Sequence, residues 1–413
     1  MGPDRPACDP RLCRRRDHRG VSAEAPARIG VFTATRAEYG LLRPVLARLE
    51  ASARLEPVLI VSGTHLSERH GATVSEIEAD GRTIAARIPA PLAADDGASV
   101  ADDMAAVLAG AARAYAELKL DAVMILGDRT EALAAAAAAV PLGLPILHLE
   151  GGHRTAGAVD DAIRHAVTKL AALHFTAAEP YSRRIVQMGE APDRVFTVGA
   201  TGVDNLVAFG RSSRAEVAVM LGLAPDALEP GFVVVTFHPE TLAALSAEAQ
   251  IAAFLEGLGT LTDRKIVVTL PNADAGAEAI RAALKAFAGE RPDQVLTFES
   301  LGARRYAAAL TAGDAVVGNS SSGVIEAPAA GTPTVNVGDR QAGRLKPPSV
   351  IDCANTPEAV AAALKQALDP AFRTAARNQP APFGDGHAAE RIVAVLEQTD
   401  FAGLARKPFV DLA

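Results

Sequence analysis

What most restricts the fold open to this chain is the alternation, from Arg28 onward, of short apolar runs with longer helical patterns. Arg28 to Thr33, Glu56 to Ser62, Ala122 to Leu126 and Ile146 to Glu150 read as buried strands, while Leu41 to Ala53, Ala101 to Leu118 and Glu131 to Val140 read as the helices between them. Runs that are apolar at nearly every position belong to strands covered on both faces, and a strand–helix–strand rhythm joins such strands in parallel. A second series begins near residue 231, with Phe232 to Phe237, Lys265 to Leu270, Gln294 to Phe298, Ala315 to Val317 and Thr334 to Val337. A chain of 413 residues is long enough for two domains with separate cores. The expected fold is therefore α/β, with two Rossmann-like domains facing across a cleft. The expected bounds are 27–205 for the first domain and 206–385 for the second. A closing helical segment, 386–413, is expected to pack back on the first domain, reached through the Pro/Gly-rich stretch Gln379 to Gly386.

Composition narrows the function classes. Hydrophobic residues make up 49% of the chain but aromatics only 4%, and Trp is absent, so the cores must be built from Ala, Val, Leu and Ile. A net charge of −8 lacks the basic face of a nucleic-acid binder. The run Ala132 to Val140 is too short to span a bilayer and is followed by Pro141 and Gly143, so no membrane partner is expected. Cys8, Cys13 and Cys353 are too few for a disulfide framework and have no metal-binding spacing, which fits a reducing, cytoplasmic location. Residues 1–26 carry an Arg cluster but no apolar core of a signal peptide, and read as a disordered tail or as the product of an early assigned start.

The strand ends are chemically loaded. In a parallel sheet ligands bind at the carboxyl ends of the strands, and there lie Thr35 to Gly40, Gly63-Thr64-His65, Gly127-Asp128-Arg129-Thr130-Glu131 and His148 to His153. Asp128, Glu150 and Asp160, the last at the start of DDAIRHAVTK, are candidate acid/base groups, because neighbouring carboxylates drive their pKa values apart and can divide the roles of acid and base. Each has a plainer reading as turn former, ion-pair partner or helix cap. In the second half, Asp314 to Leu345 reads as strand, small-residue turn, helix and strand. The turn Gly318 to Gly323 offers unpaired N–H groups to an anion, from a helix expected to open at Val324. Glu326, within that helix, is placed to accept from ribose hydroxyls, so a nucleotide is favoured over bare phosphate. Arg340 and Arg344 follow on a Gly-flexed loop suited to an anionic ligand. His238, after its strand, is placed to donate to phosphate. His148, His153 and His165 lack the spacing of zinc ligands, so neither a metal nor another cofactor is expected. G-x-S-x-G, a P-loop Lys and a complete dinucleotide fingerprint are all absent.

The runs TRAEYGLLRPVL, LGDRTEALAAA, HLEGGHRTAGAVDDAIRHAVTKLAALHFTA, VGATGVDNL, TFHPET, LPNADAG and GNSSSGVIEAPAAGTPTVNVGDRQAGRL resemble the hydrolysing UDP-N-acetylglucosamine 2-epimerases of sialic-acid-type synthesis, in order from about Ile29 to Leu345. The resemblance implies a GT-B arrangement, shared with retaining glycosyltransferases and non-hydrolysing epimerases, so fold alone does not choose among them. It also implies loss of UDP by C1–O cleavage with loss of the C2 proton, then hydration of the resulting 2-acetamidoglucal to the free 2-epimeric sugar. By that resemblance Asp128, Glu150 and Asp160 handle protons and His238 lies near the pyrophosphate. Arg36, Asn272, Ser320, Ser321, Ser322, Gly323, Glu326, Arg340 and Arg344 take the nucleotide. Glu38, His65, Arg129, His153 and Arg164 are read as contacts to the sugar.

One departure stands out. Many relatives have Glu or Asp where this chain has His153, and relatives that release a UDP-linked product read apolar-Arg-Thr there, so His153-Arg154-Thr155 is a hybrid. Related enzymes act on UDP- or GDP-linked 2,4-diacetamido-2,4,6-trideoxyhexoses of legionaminic acid synthesis, and GDP-linked N-acetylglucosamine is a further alternative on that route, which leaves the sugar open. The rival readings are a non-hydrolysing epimerase, a glycosyltransferase and a silent sugar-nucleotide binder. The expected partner is a nucleotide sugar, bound by a homo-oligomer, dimer or tetramer.

Overall fold

The apolar runs pair side by side into two sheets, and every strand pairing among the described residues is parallel. The computed structural model describes residues 25–411 except 95, 156–157, 241–242 and 272–275. Asn272 and nearly all of the expected tail lie outside the described residues. The first sheet holds β1 (Ala27–Thr33), β2 (Leu55–Ser62), β3 (Ile84–Ile88), β4 (Ala122–Leu126), β5 (Ile146–Leu149), β6 (Leu173–Thr176) and β7 (Val195–Thr197) in the order β3-β2-β1-β4-β5-β6-β7. The second holds β8 (Phe232–Thr236), β9 (Lys265–Thr269), β10 (Val295–Phe298), β11 (Ala315–Gly318), β12 (Thr334–Val337) and β13 (Val350–Cys353) in the order β10-β9-β8-β11-β12-β13. Both are doubly wound, and together they form the two-domain GT-B arrangement. In each the winding direction reverses between two central strands, β1 and β4 or β8 and β11, and leaves a crevice beyond their carboxyl ends.

Each sheet is covered on both faces. Tyr39, Leu42, Leu46, Leu59 and Met124 pack on one side of the first, and Val58, Ile60, Val107, Val123 and Ile125 on the other. The alanine run in the helix Thr130–Ala139 is almost wholly buried against the helix Gly97–Leu118. Small side chains suit a helix packed this extensively against a neighbour. The closing helix Ala388–Leu396 buries Ala389, Ile392 and Leu396 in the first core, and its first N–H groups donate to Asp204 at 3.0 and 2.8 Å. The helix Thr201–Phe209 touches elements of both halves, the helices Arg36–Glu50, Gly302–Ala312, Glu326–Ala330 and Ala388–Leu396. A fifth apolar cluster, with Tyr181, Val203, Val324, Ile325 and Phe383, seals the same junction.

No helix among the described residues is long and apolar enough to cross a membrane. No group of three or more His, Cys, Asp or Glu able to hold a metal ion occurs among them.

Candidate active site

The two crevices open onto one cleft of about 300 Å³. Its N-terminal wall is made by the segments after β1, β4 and β5, its C-terminal wall by those after β8, β9, β10, β11 and β12. After β1, Thr35 caps the helix Arg36–Glu50 in a reciprocal box: Glu38 N–H donates to Thr35 Oγ1 at 3.3 Å, while Thr35 and Ala34 N–H donate to Glu38 Oε2 at 3.0 and 2.7 Å. Glu38 therefore lines the cleft with one oxygen already committed to the cap, and Oε1 is buried without a hydrogen bond. Burial, reinforced by Glu131, lifts its carboxyl to about 7. Arg36 spans the two halves, with Nη2 donating to Glu299 O at 3.0 Å and Nη1 3.4 Å from Glu76 Oε1.

The strand ends of β4 and β5 turn in different ways. After β4, Gly127 takes the left-handed conformation, φ +77°, and Asp128 lines the cleft, paired with the buried Arg164. After β5, Glu150 itself takes φ +62°, an uncommon conformation for a residue with a Cβ. Its side chain is turned inward and only 13% exposed; Oε2 lies 3.0 Å from His153 Nε2, and Oε1 accepts from Thr201 N–H at 3.3 Å. Burial lifts Glu150 to about 7 against the pull of Thr201 N–H and the Arg344 charge. A carboxyl so placed exchanges its proton near neutrality, as an acid/base group must. The adjacent Asp160 and Asp161 separate in role. Asp160 lines the cleft 3.9 Å from Arg340 Nη2 of the opposite half, whereas Asp161 Oδ1 accepts from Thr155 N–H at 2.6 Å.

On the C-terminal wall His238 and Asn319 lock two loops together: His238 N–H donates to Asn319 Oδ1 at 2.7 Å and Asn319 Nδ2 to His238 O at 2.8 Å. Gly318 is required between them, because at φ +132° a Cβ would lie 2.0 Å from Thr236 O. Ser320 then caps a short helix, Ser321–Val324. The helix therefore opens three residues before the expected Val324 and breaks at Ile325, with a second helix over Glu326–Ala330. Pro328 explains the break, since it has no N–H for Val324 O, its partner four residues back, and its ring crowds that carbonyl. Glu326 consequently opens the second helix and faces Gly202, where a Cβ would meet its Oε1 at 2.2 Å. Glu326 Oε2 and Ser322 Oγ are buried without hydrogen bonds. Burial, with Glu150 as a neighbouring charge, lifts Glu326 to about 7.

Of the candidate residues, Arg36, Glu38, Asp128, Arg129, Asp160, His238, Ser320, Ser321, Ser322, Glu326 and Arg340 line the cleft. Glu150, Gly323 and Arg344 stand outside its lining, Arg344 close enough to act on Glu150 through its charge. Three expected sugar contacts are placed differently. His65 is fully buried between Thr33 Oγ1 (3.0 Å) and Thr73 Oγ1 (2.8 Å), and burial, reinforced by the Arg36 charge, holds it down at about 4. His153 is buried, stacked on Tyr181 with ring centroids 4.0 Å apart, and spends Nε2 on Glu150. Arg164 is 1% exposed and spends its fork on Asp128, Thr155 Oγ1 (2.9 Å) and His153 O (3.2 Å). All three brace loops that carry lining groups. Sequence reasoning passed over Asn205 and Tyr306 in the lining; Asn205 lies in the quoted run VGATGVDNL, and its Nδ2 donates to Gly40 O at 2.8 Å.

Known proteins share this sequence pattern and this fold. A family model described as UDP-N-acetylglucosamine 2-epimerase matches residues 47–397. The hydrolyzing UDP-N,N'-diacetylbacillosamine 2-epimerase of Legionella pneumophila is 35% identical over 370 residues, 88% of this chain and 94% of that protein. The hydrolyzing GDP/UDP-N,N'-diacetylbacillosamine 2-epimerase of Campylobacter jejuni is 34% identical over 325 residues, 79% and 84% of the two chains. A crystal structure of UDP-GlcNAc 2-epimerase from Neisseria meningitidis bound to UDP-GlcNAc superposes with a TM-score of 0.72 at 18% identity, over 90% of this chain and 100% of that one, and so shares the fold. With most of its length matched by the family model and by relatives named as hydrolysing 2-epimerases, the chain belongs to the UDP-N-acetylglucosamine 2-epimerase family.

Proposed function

We propose that the protein is a hydrolysing 2-epimerase of a nucleotide-linked 2-acetamido sugar. The reading is carried by one observation: Asp128 and Asp160, with Glu150 close by, face the Ser320–Ser322 turn, Glu326 and Arg340 across a single cleft. The serine turn, His238, Arg36 and Arg340 take the diphosphate, and Glu326 takes the ribose. A carboxylate on the other wall removes the C2 proton as the C1–O bond breaks. The nucleoside diphosphate leaves with the bonding pair and a 2-acetamidoglucal remains. Water then adds hydroxide at C1 and a proton at C2 on the opposite face, which releases the free epimer. In this scheme the domains, proposed as 27–205 and 206–385, divide proton handling from nucleotide binding.

UDP-N-acetylglucosamine, giving UDP and free N-acetylmannosamine, is the substrate that the motifs favour. A second substrate is favoured by the relatives: both hydrolysing epimerases above bear the name of N,N'-diacetylbacillosamine, linked to UDP or to UDP and GDP. A proton NMR time course of the purified protein in D2O, with each nucleotide sugar in turn, tests the proposal. Free sugar deuterated at C2, with released nucleoside diphosphate, is the expected result, and the substrate that gives it identifies the sugar. A UDP-linked epimer as end product makes the protein non-hydrolysing. UDP binding without turnover of any of them makes it a transferase or a binder.

A further inference from the structure

Glu240 has no part in the scheme above, yet it ties together two loops of the nucleotide wall. It follows His238-Pro239 after β8, and its Oε1 accepts the backbone N–H groups of Asp339 at 2.9 Å and Arg340 at 3.2 Å, from the loop after β12. Consecutive N–H groups converging on one anionic oxygen form a backbone nest, here filled by a side chain of the same protein. The fit depends on Gly338, φ +74°, where a Cβ would lie 2.1 Å from Glu240 Oε1. Glu240 is itself held at both backbone ends by the buried Gln250, whose Oε1 accepts Glu240 N–H at 2.9 Å and whose Nε2 donates to Glu240 O at 3.3 Å. From this fastening Arg340 reaches into the cleft. Its Nη1 donates to Asn319 O at 3.3 Å, and its Nη2 lies 3.9 Å from Asp160 Oδ1 across the cleft.

We infer that Glu240 is a positioning residue: its carboxylate pins the 338–340 loop so that the Arg340 guanidinium is held where the diphosphate of the nucleotide binds. The inference rests on the reading of the cleft as a nucleotide-sugar site. It separates Glu240 from an ordinary structural brace, because only a residue acting through Arg340 affects the phosphates and spares the nucleoside.

The test measures UDP by calorimetry and uridine by ligand-observed NMR on the native protein and on Glu240→Ala, Glu240→Gln, Glu240→Asp, Arg340→Ala and the double Ala variant. Glu240→Ala is expected to weaken UDP about tenfold, the size of a lost charge-assisted contact, and to leave uridine unchanged. Glu240→Gln keeps an acceptor oxygen and is expected to stay within about threefold of native. On the Arg340→Ala background, removing Glu240 should cost nothing further. Glu240→Asp, one methylene too short to meet both N–H groups, gives the same pattern in milder form and serves if the alanine variant does not fold. Equal loss of UDP and uridine, full additivity with Arg340→Ala, or native UDP affinity in Glu240→Ala would each overturn the inference. A native protein that does not bind UDP overturns the nucleotide reading itself, and the inference with it.

Discussion

The two halves of the molecule are wound alike and open onto the same cleft, yet they equip it differently. The loops of the first sheet bring Glu38, Asp128 and Asp160 to the wall and Glu150 next to it, and two of these carboxyls are held near 7 by burial. Those of the second bring three serines, a histidine and an arginine, with Glu326 as the acid placed over Gly202 at the start of the helix Thr201–Phe209. Two strand ends, one in each half, also meet the backbone demands of a tight turn in opposite ways. Where β11 ends, the left-handed position belongs to Gly318, as the contact with Thr236 requires. Where β5 ends, it is held by Glu150, although glycine would relieve a strain on the order of 1 kcal/mol or more. A carboxylate kept at a strained position indicates that the side chain is needed there. Sheet topology decides where the loops meet, and loop chemistry decides what they do.

The largest effects should come from the proton-handling wall. Asp128→Asn, Glu150→Gln and Asp160→Asn are each expected to lower turnover about a hundredfold or more, while UDP affinity by calorimetry stays within about threefold of native. Near-native turnover in all three would end the assignment of acid/base chemistry to this wall, and a parallel loss of UDP affinity would blur the division between the halves. Next in size is the nucleotide wall. Glu326→Ala should weaken UDP about tenfold with a smaller change in turnover, and unchanged affinity would return Glu326 to the role of a favourable charge at a helix start. The same residue predicts a pH dependence. Its carboxylate form accepts from ribose hydroxyls and its carboxyl, lifted to about 7, predominates below that value, so UDP should bind more tightly as the pH rises through about 7. Glu326→Gln should flatten that rise, and the difference between the two curves removes the titration of the UDP phosphate, near pH 6.

Much of this was legible in the sequence. Buried parallel strands show as apolar runs that end at glycine or a polar residue, so β1, β4, β8 and β11, whose ends build the cleft, could be read directly. The strands β3, β7 and β13 could not, because edge strands are half exposed and their short mixed patterns, as in Val195-Phe196-Thr197, resemble loops. β6 was missed although it is fully buried, since four residues with a histidine carry little periodicity. Within the site, spacing places a residue on a loop but not the direction of its side chain. His65, His153 and Arg164 all lie at or just beyond strand ends on the cleft side of the first sheet, and each turns inward to satisfy buried polar partners. The split at Ile325 had its signal in Pro328, which was read as part of one helix.

A last effect, read on stability rather than on turnover or affinity, separates the cap from the chemistry on the first wall. Glu38 lines the cleft but also closes the cap of the helix Arg36–Glu50, and its carboxyl is lifted from the ordinary 4.5 to about 7, first by burial and then by Glu131. Below pH 4.5 the group is protonated in both folded and unfolded chains, and its contribution to stability is fully present. As the pH rises from 4.5 to about 7 the unfolded chain ionises while the folded one does not, so unfolding releases a proton and stability is lost across that window. Glu38→Gln does not titrate and keeps an acceptor for the Ala34 and Thr35 N–H groups. The stability of the native protein relative to this variant, from urea unfolding at a series of pH values, should therefore fall between pH 4.5 and about 7, by at most about 3 kcal/mol, and level off above. Taking the difference matters, because His65 and His148, held down at about 4 and about 3, tilt the individual curves the other way and cancel between the two proteins. Parallel curves would mean that Glu38 is ionised in the folded protein, and the first wall would then hold one more permanent charge facing Arg129 and the substrate.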